Sequence, residues 1–260
     1  MSTIKELFEL SGRVAMVTGG SSGIGRAIAY HLAQAGAAVV HVALPREEKA
    51  LKEAVKEVET LGVSAAYETC DVSNLDELPG MVERASSHFG SPDILVNAAG
   101  VNLREPWEEV SPETWNTTIA INLTAPFFLA RLLVPSMRSK GWGKIINIGS
   151  LQSVRAFPNS AAYGASKGGV AQLTRAMAEA WSKDQSGITC NAIGPGFFKT
   201  GLTAPLYDDQ KVIDALARQT IIGRNGELSD LAGLIVFLSS RASDYITGQM
   251  IFLDGGWSAK

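Results

Sequence analysis

Eight residues near the N-terminus, Thr18-Gly19-Gly20-Ser21-Ser22-Gly23-Ile24-Gly25, constrain the fold of this 260-residue chain more than any other stretch. They follow a short apolar run, 14–18, and open a segment of helical period. Glycine lets a backbone turn sharply and approach a ligand closely, while a helix N-terminus presents unpaired N–H groups and a positive dipole end. A diphosphate fits such a turn. The spacing is Gly-x3-Gly-x-Gly, not the Gly-x-Gly-x2-Gly of the usual dinucleotide fingerprint, but the strand-turn-helix context is the one that reading requires.

The same alternation continues along the chain. Short apolar, β-branched runs at 14–18, 38–43, 64–69, 94–97, 144–148, 188–192 and 250–253 read as seven strands. Helix candidates begin near Ile24, Glu47, Leu75, Pro112, Ala161 and Ser229, with Ser73, Ser111 and Ser229 as caps. Strands apolar on both faces, each followed by a helix, imply a parallel sheet covered on both sides. Both a doubly wound sheet and an eight-stranded barrel satisfy that pattern, and the first turn favours the sheet. The expected fold is α/β: a Rossmann-type doubly wound sheet of seven mainly parallel strands with helices on both faces. No linker divides the chain, so residues 1–260 read as one domain.

A net charge of -3 with scattered Lys and Arg argues against nucleic acid as a partner, which demands a concentrated basic surface. Cys70 and Cys190 read as small buried residues, and His31, His41 and His88 show no ligand spacing, so no metal is expected. The N-terminus carries acidic residues without an apolar leader, so a cytoplasmic protein is expected. Asn122, Thr124 and Arg131 interrupt the apolar run 119–134, leaving it short of the ~20 residues of a membrane span, and no membrane partner is expected.

Tyr163 and Lys167 stand four residues apart in a helical segment and should share one face. An ammonium beside a phenol favours the phenolate and makes proton exchange with an alcohol or carbonyl easier. Taken alone, this spacing also suits a solvated helix face. Together with Thr18-Gly19-x3-Gly23-x-Gly25, Asp71, Asn97-Ala98-Ala99-Gly100, Asn122, Ser150 and Pro195-Gly196, standing in that order, the chain resembles the short-chain dehydrogenase/reductase family from about Leu10 to its C-terminus.

That resemblance implies a hydride transfer between a nicotinamide cofactor and a secondary alcohol or ketone. It makes Tyr163 the general acid/base and Lys167 its partner, which lowers the phenol pKa and bonds the nicotinamide ribose. Ser150 holds the substrate oxygen; otherwise it is a strand-end cap. Asn122 holds a water that links Lys167 to solvent, or is a satisfied helix-interior amide. Cofactor contacts fall to Gly19, Ser21, Ser22, Gly23, Ile24, Gly25, Arg46, Asp71, Val72, Asn97, Ala98, Gly100, Pro195, Gly196 and Thr200, with Tyr163 and Lys167.

Relatives that prefer NAD end the second strand with an acid, and Val42-Ala43-Leu44-Pro45-Arg46 has none there. Arg46, with Ser21 and Ser22, suits a 2′-phosphate, so NADP(H) is favoured over NAD(H), although Arg46 also fits the start of a charged helix face. Around the expected pocket, Arg104, Gln152, Arg155 and Lys199 mix with Phe197, which points to a polyol, sugar or sugar acid. The closing stretches 195–200 and 254–257 resemble the gluconate 5-dehydrogenase group of that family. The alternative is a 3-oxoacyl carrier-protein reductase, with Arg131 and Arg175 facing an acidic carrier; a catalytically inactive binding protein ranks below both because the catalytic set is complete. The family further implies a homotetramer, built partly through the helix from Ala161 with its small residues. A substrate lid is expected over about 197–222.

Overall fold

The computed structural model describes residues 2–201, 203 and 208–260. Seven strands, β1 (Val14–Thr18), β2 (Ala38–Ala43), β3 (Ala65–Thr69), β4 (Ile94–Asn97), β5 (Gly143–Ile148), β6 (Ile188–Pro195) and β7 (Met250–Leu253), form one sheet in the order 3-2-1-4-5-6-7. Every neighbouring pair is parallel, β7 included, so the expected "mainly parallel" sheet is wholly so. The cause is connectivity: parallel neighbours need crossovers, and helices supply them. The order reverses at β1, which lies between β2 and β4. That reversal leaves a crevice beyond the carboxyl ends of β1 and β4.

Both faces of the sheet are covered. On one, α4 (Leu78–Phe89), α6 (Ala125–Lys140) and α7 (Ala161–Trp181) bury Met81, Leu129, Leu133 and Met177 against Met16, Leu95 and Ile145. On the other, α2 (Gly23–Gln34), α3 (Glu48–Glu59) and α9 (Leu231–Ser239) bury Ile28, Leu32, Val58 and Ile235 against Ala15, Val17 and Val96. Each large aliphatic side chain so buried contributes about 1.5–3 kcal/mol from removed apolar surface. A five-residue helix, α1 (Ile4–Phe8), sets Phe8 against Phe237 with ring centroids 6.2 Å apart.

The helix α1 was not expected from the sequence, and three other elements depart from the expected bounds around the site. Helix α4 begins at Leu78 rather than near Leu75, because Ser73 turns back to donate from its N–H and hydroxyl to Asp71 Oδ1 at 3.0 and 2.7 Å. Strand β6 runs on to Pro195, held by β7. The third concerns α5 (Pro112–Ile119), which continues through a π-helical turn, Ala120–Thr124, into α6. The resulting helix, Pro112–Lys140, is long and apolar enough by composition to cross a membrane, despite its polar interruptions. Its apolar stripe of Ala125, Leu129, Leu133 and Met137 is core, packed on the sheet.

Candidate active site

A cavity of about 930 Å³ fills the crevice at the carboxyl ends of the strands. The glycine-rich turn forms its floor. Gly19 adopts φ +66°, and a Cβ there would stand 2.9 Å from the Ala99 backbone nitrogen; a Cβ on Gly25 would stand 2.2 Å from the Gly19 carbonyl oxygen. Only glycine fits either position. Ser22 precedes α2 without a side-chain cap, so the first-turn N–H groups of α2 are left for a ligand. His41 Nδ1 lies 3.0 Å from the Gly20 carbonyl oxygen, and burial holds this imidazole below its ordinary pKa, so a neutral Nδ1–H donates to the turn. A cradle of this shape, with the switch-point crevice around it, fits the diphosphate of a dinucleotide.

Gly19, Ser21, Ser22, Gly23, Ile24 and Gly25 all line this cavity. So do Arg46, Asp71, Val72, Ala98 and Gly100, and at the far end Pro195, Gly196 and Thr200. Asn97 does not. It is buried beneath, donating from Nδ2 to Asn147 Oδ1 at 2.8 Å, because at the end of β4 its side chain points to the face covered by α6 and α7. Its side chain thus supports the sheet beneath the cavity, joining β4 to β5. A group that the sequence reading passed over also lines the cavity: Glu47, whose Oε2 accepts from the Ser21 hydroxyl at 2.6 Å. The pair spans 26 positions, and Glu47 reads in sequence only as the start of a charged helix.

At the other end, Ser150, Tyr163 and Lys167 meet at the cavity wall. Ser150 lies just past β5, where its Oγ accepts from the Gln152 N–H at 3.1 Å. Ser153 receives the Ser150 N–H at 3.2 Å and donates to the Lys167 carbonyl at 2.7 Å, tying the end of β5 to α7. Lys167 Nζ donates to the Ile148 carbonyl at 2.7 Å and lies over the Tyr163 ring, 5.6 Å from its centroid. Tyr163 and Lys167 thus share a helix face, as their spacing predicts.

The electrostatics differ from that prediction. Burial pushes the Tyr163 phenol above its ordinary pKa; the Ser150 hydrogen bond and the Arg104 charge oppose this. Lys167 donates to the Ile148 carbonyl and sits over the ring rather than at the hydroxyl, so its ammonium acts on the phenol through its charge and not through a direct hydrogen bond. Burial lowers Lys167 itself to about 8.

Asn122 occupies the π turn, buried, with its amide engaged on three sides. Its Oδ1 accepts from the Val101 N–H at 2.9 Å, while Nδ2 donates to the Val101 carbonyl at 2.9 Å and to Ser166 Oγ at 3.0 Å. It fixes the start of the 101–104 loop to α7. Of the predicted substrate contacts, Arg104, Gln152, Phe197 and Ser150 line the cavity. Arg155 does not: it is exposed and donates to the Lys260 carbonyl oxygen. Lys199 is exposed as well. Phe197 meets Phe157 edge to face, 6.0 Å away, and lies tilted against Trp257, 5.0 Å away, making an aromatic wall.

The expected lid is only partly described, since 202 and 204–207 lie outside the described residues. Its latter half holds α8 (Gln210–Gln219), a helix the sequence reading did not assign, and the N–H groups of Ile221 and Ile222, which donate to the Gly255 carbonyl at 2.8 and 3.2 Å. Cys70 and Cys190 are buried and unpaired, their thiols pushed up to about 11 and about 12 by burial.

Comparison with known proteins agrees with this geometry. A family model described as enoyl-(acyl carrier protein) reductase matches residues 19–258. The chain is 40% identical over 251 residues to a gluconate 5-dehydrogenase of Gluconobacter oxydans, covering 96% of each chain. It is 38% identical to a 2-dehydro-3-deoxy-D-gluconate 5-dehydrogenase of Escherichia coli, covering 99% of this chain and 100% of the other. Among solved structures, a gluconate 5-dehydrogenase from Burkholderia cenocepacia in complex with NADP and tartrate superposes with a TM-score of 0.92 at 37% identity, covering 99% of this chain and 100% of that one.

Proposed function

Because this chain belongs to the short-chain dehydrogenase/reductase family, whose named relatives are dehydrogenases and reductases acting on CH–OH groups, we propose that it interconverts a sugar acid and its keto form with NADP(H). The observation that carries the substrate class is Arg104, a cation in the same cavity as Ser150 and near enough to Tyr163 for its charge to act on the phenol. A guanidinium so placed suits a carboxylate a few carbons from the reacting carbon. Gluconate and its 5-keto form are the compounds the relatives' names bring forward.

When bound, the nicotinamide supplies hydride donation or acceptance. The chain supplies position and proton handling. Ser150 Oγ holds the substrate oxygen, and Tyr163 Oη removes the alcohol proton in oxidation or returns it in reduction. Lys167, over the Tyr163 ring, would bond the nicotinamide ribose and hold positive charge beside the phenol. The turn from Gly19 to Gly25, with α2 behind it, would hold the diphosphate, and Arg46 would meet the 2′-phosphate.

A panel of sugar acids, polyols and acetoacetyl thioester, followed at the reduced-nicotinamide absorbance, tests the reading. Turnover of gluconate or 5-ketogluconate with NADP(H) is expected. Turnover of the thioester alone would favour the acyl-carrier reading, in which the exposed Arg131 and Arg175 would face the acidic carrier. The two unpaired cysteines support a reducing, cytoplasmic setting. A homotetramer is supported by the small residues of α7, where a side chain added at Gly168 would meet open space.

A further inference from the structure

The end of the cavity beyond the diphosphate turn carries two opposite charges, side by side in sequence. Arg46 and Glu47 both line it, in the short helical turn Pro45–Glu47 that follows β2. They do not neutralise each other. The Glu47 carboxylate turns to the Ser21 hydroxyl at 2.6 Å, and Ser21, buried within the glycine-rich turn, is a fixed anchor. The Arg46 guanidinium is left exposed at the same rim.

We propose that Glu47, held by Ser21, is a specificity-determining residue that sets how far this site prefers the 2′-phosphorylated dinucleotide over the unphosphorylated one. The proposal rests on the reading of the cavity as an NADP(H) site. A 2′-phosphate close to Arg46 also comes close to the Glu47 carboxylate, and two anions a few ångströms apart at a half-exposed rim repel appreciably. An unphosphorylated ribose meets no such penalty, because its hydroxyls are donors and a carboxylate accepts from them. The Ser21 bond keeps the carboxylate from swinging away into solvent. Position 47 therefore does, from the turn after β2, the discriminating work of an acid at the strand end, where this chain has Ala43 and Leu44. Arg46 and Glu47 act in opposition, and the site accepts both cofactors with a preference narrower than Arg46 alone would give.

Calorimetric titration of the whole protein with NADP+, NAD+, 2′-AMP and 5′-AMP, without substrate, tests this directly. In Glu47→Gln, which keeps an acceptor for Ser21, the ratio of NAD+ to NADP+ dissociation constants should rise about tenfold. The same change should appear between 5′-AMP and 2′-AMP and shrink at high salt. Arg46→Gln should shift the ratio the other way. If Glu47→Gln moves both cofactors equally, or neither, the Glu47–Ser21 bond only holds the turn together and the proposal fails. Failure of the underlying reading looks different: the unmodified protein would bind neither dinucleotide, or would bind NAD+ far more tightly than NADP+, whatever stands at position 47.

Discussion

Tyr163 and Lys167 occupy a place where burial works against both of them, and the consequence is a measurable dependence on pH. Lys167 is lowered from 10.5 to about 8. Between those values the unfolded chain holds this proton and the folded chain does not, so the site's contribution to stability rises with pH over that window, relieving a penalty of about 3 kcal/mol at neutral pH. Thermal melts between pH 7 and 10.5 should therefore show a steeper gain with pH in the unmodified protein than in Lys167→Met; equal slopes would mean that Lys167 is not perturbed. Tyr163→Phe removes the proton carrier without touching the cofactor cradle. Turnover should fall about a thousandfold while the NADP+ dissociation constant stays within about twofold, and retained turnover would dismiss the phenol as acid/base. The spacing marked the shared face, because four residues in a helix fix it whatever the fold around it, and the motifs standing in order around the pair gave it a role. It did not reveal that Lys167 spends its ammonium on the Ile148 carbonyl, a partner on another element.

At the level of elements, the turn into α2 and the π turn before α6 are the two places where backbone geometry serves the site. Gly25→Ala would press a methyl group to 2.2 Å from the Gly19 carbonyl oxygen, which only a shift of the turn can relieve. Dinucleotide affinity, read by calorimetry, should drop at least tenfold, with about 2 kcal/mol of stability lost. Asn122→Leu leaves the Val101 N–H and carbonyl without their side-chain partner, at a cost of about 2–4 kcal/mol and a Tm lower by about 5–10 °C. Since Val101 opens the loop that carries Arg104, KM for the sugar acid should rise as well; an unchanged KM would detach the loop from the site. Apolar strands and a glycine-rich turn are local signals, and they were readable. The late start of α4 was not, because Asp71 captures Ser73 and delays the helix, a contest decided by side-chain geometry rather than by period.

For the molecule as a whole, the parallel sheet gathers segments from the entire chain at one edge, so most of the predicted contacts meet in one cavity although they lie far apart in sequence. Arg155 and Asn97 fell outside because their directions depend on what packs beside them: the C-terminal Lys260 for one, the amide of Asn147 for the other. Composition could rank the cations near the pocket but could not aim them. Light scattering should return four times the 27.6 kDa chain mass if the small-residue face of α7 is an interface, and a monomer would remove that assignment. The wall formed by Phe157, Phe197 and Trp257 bears on how the protein is handled at the bench. Trp257 stands three residues from Lys260, whose carbonyl is clasped by Arg155, so the segment 257–260 is moored to the loop that carries Phe157. A label attached to the Lys260 side chain should therefore raise KM, whereas one on Lys5 in α1, which contributes nothing to the cavity lining, should leave it unaltered.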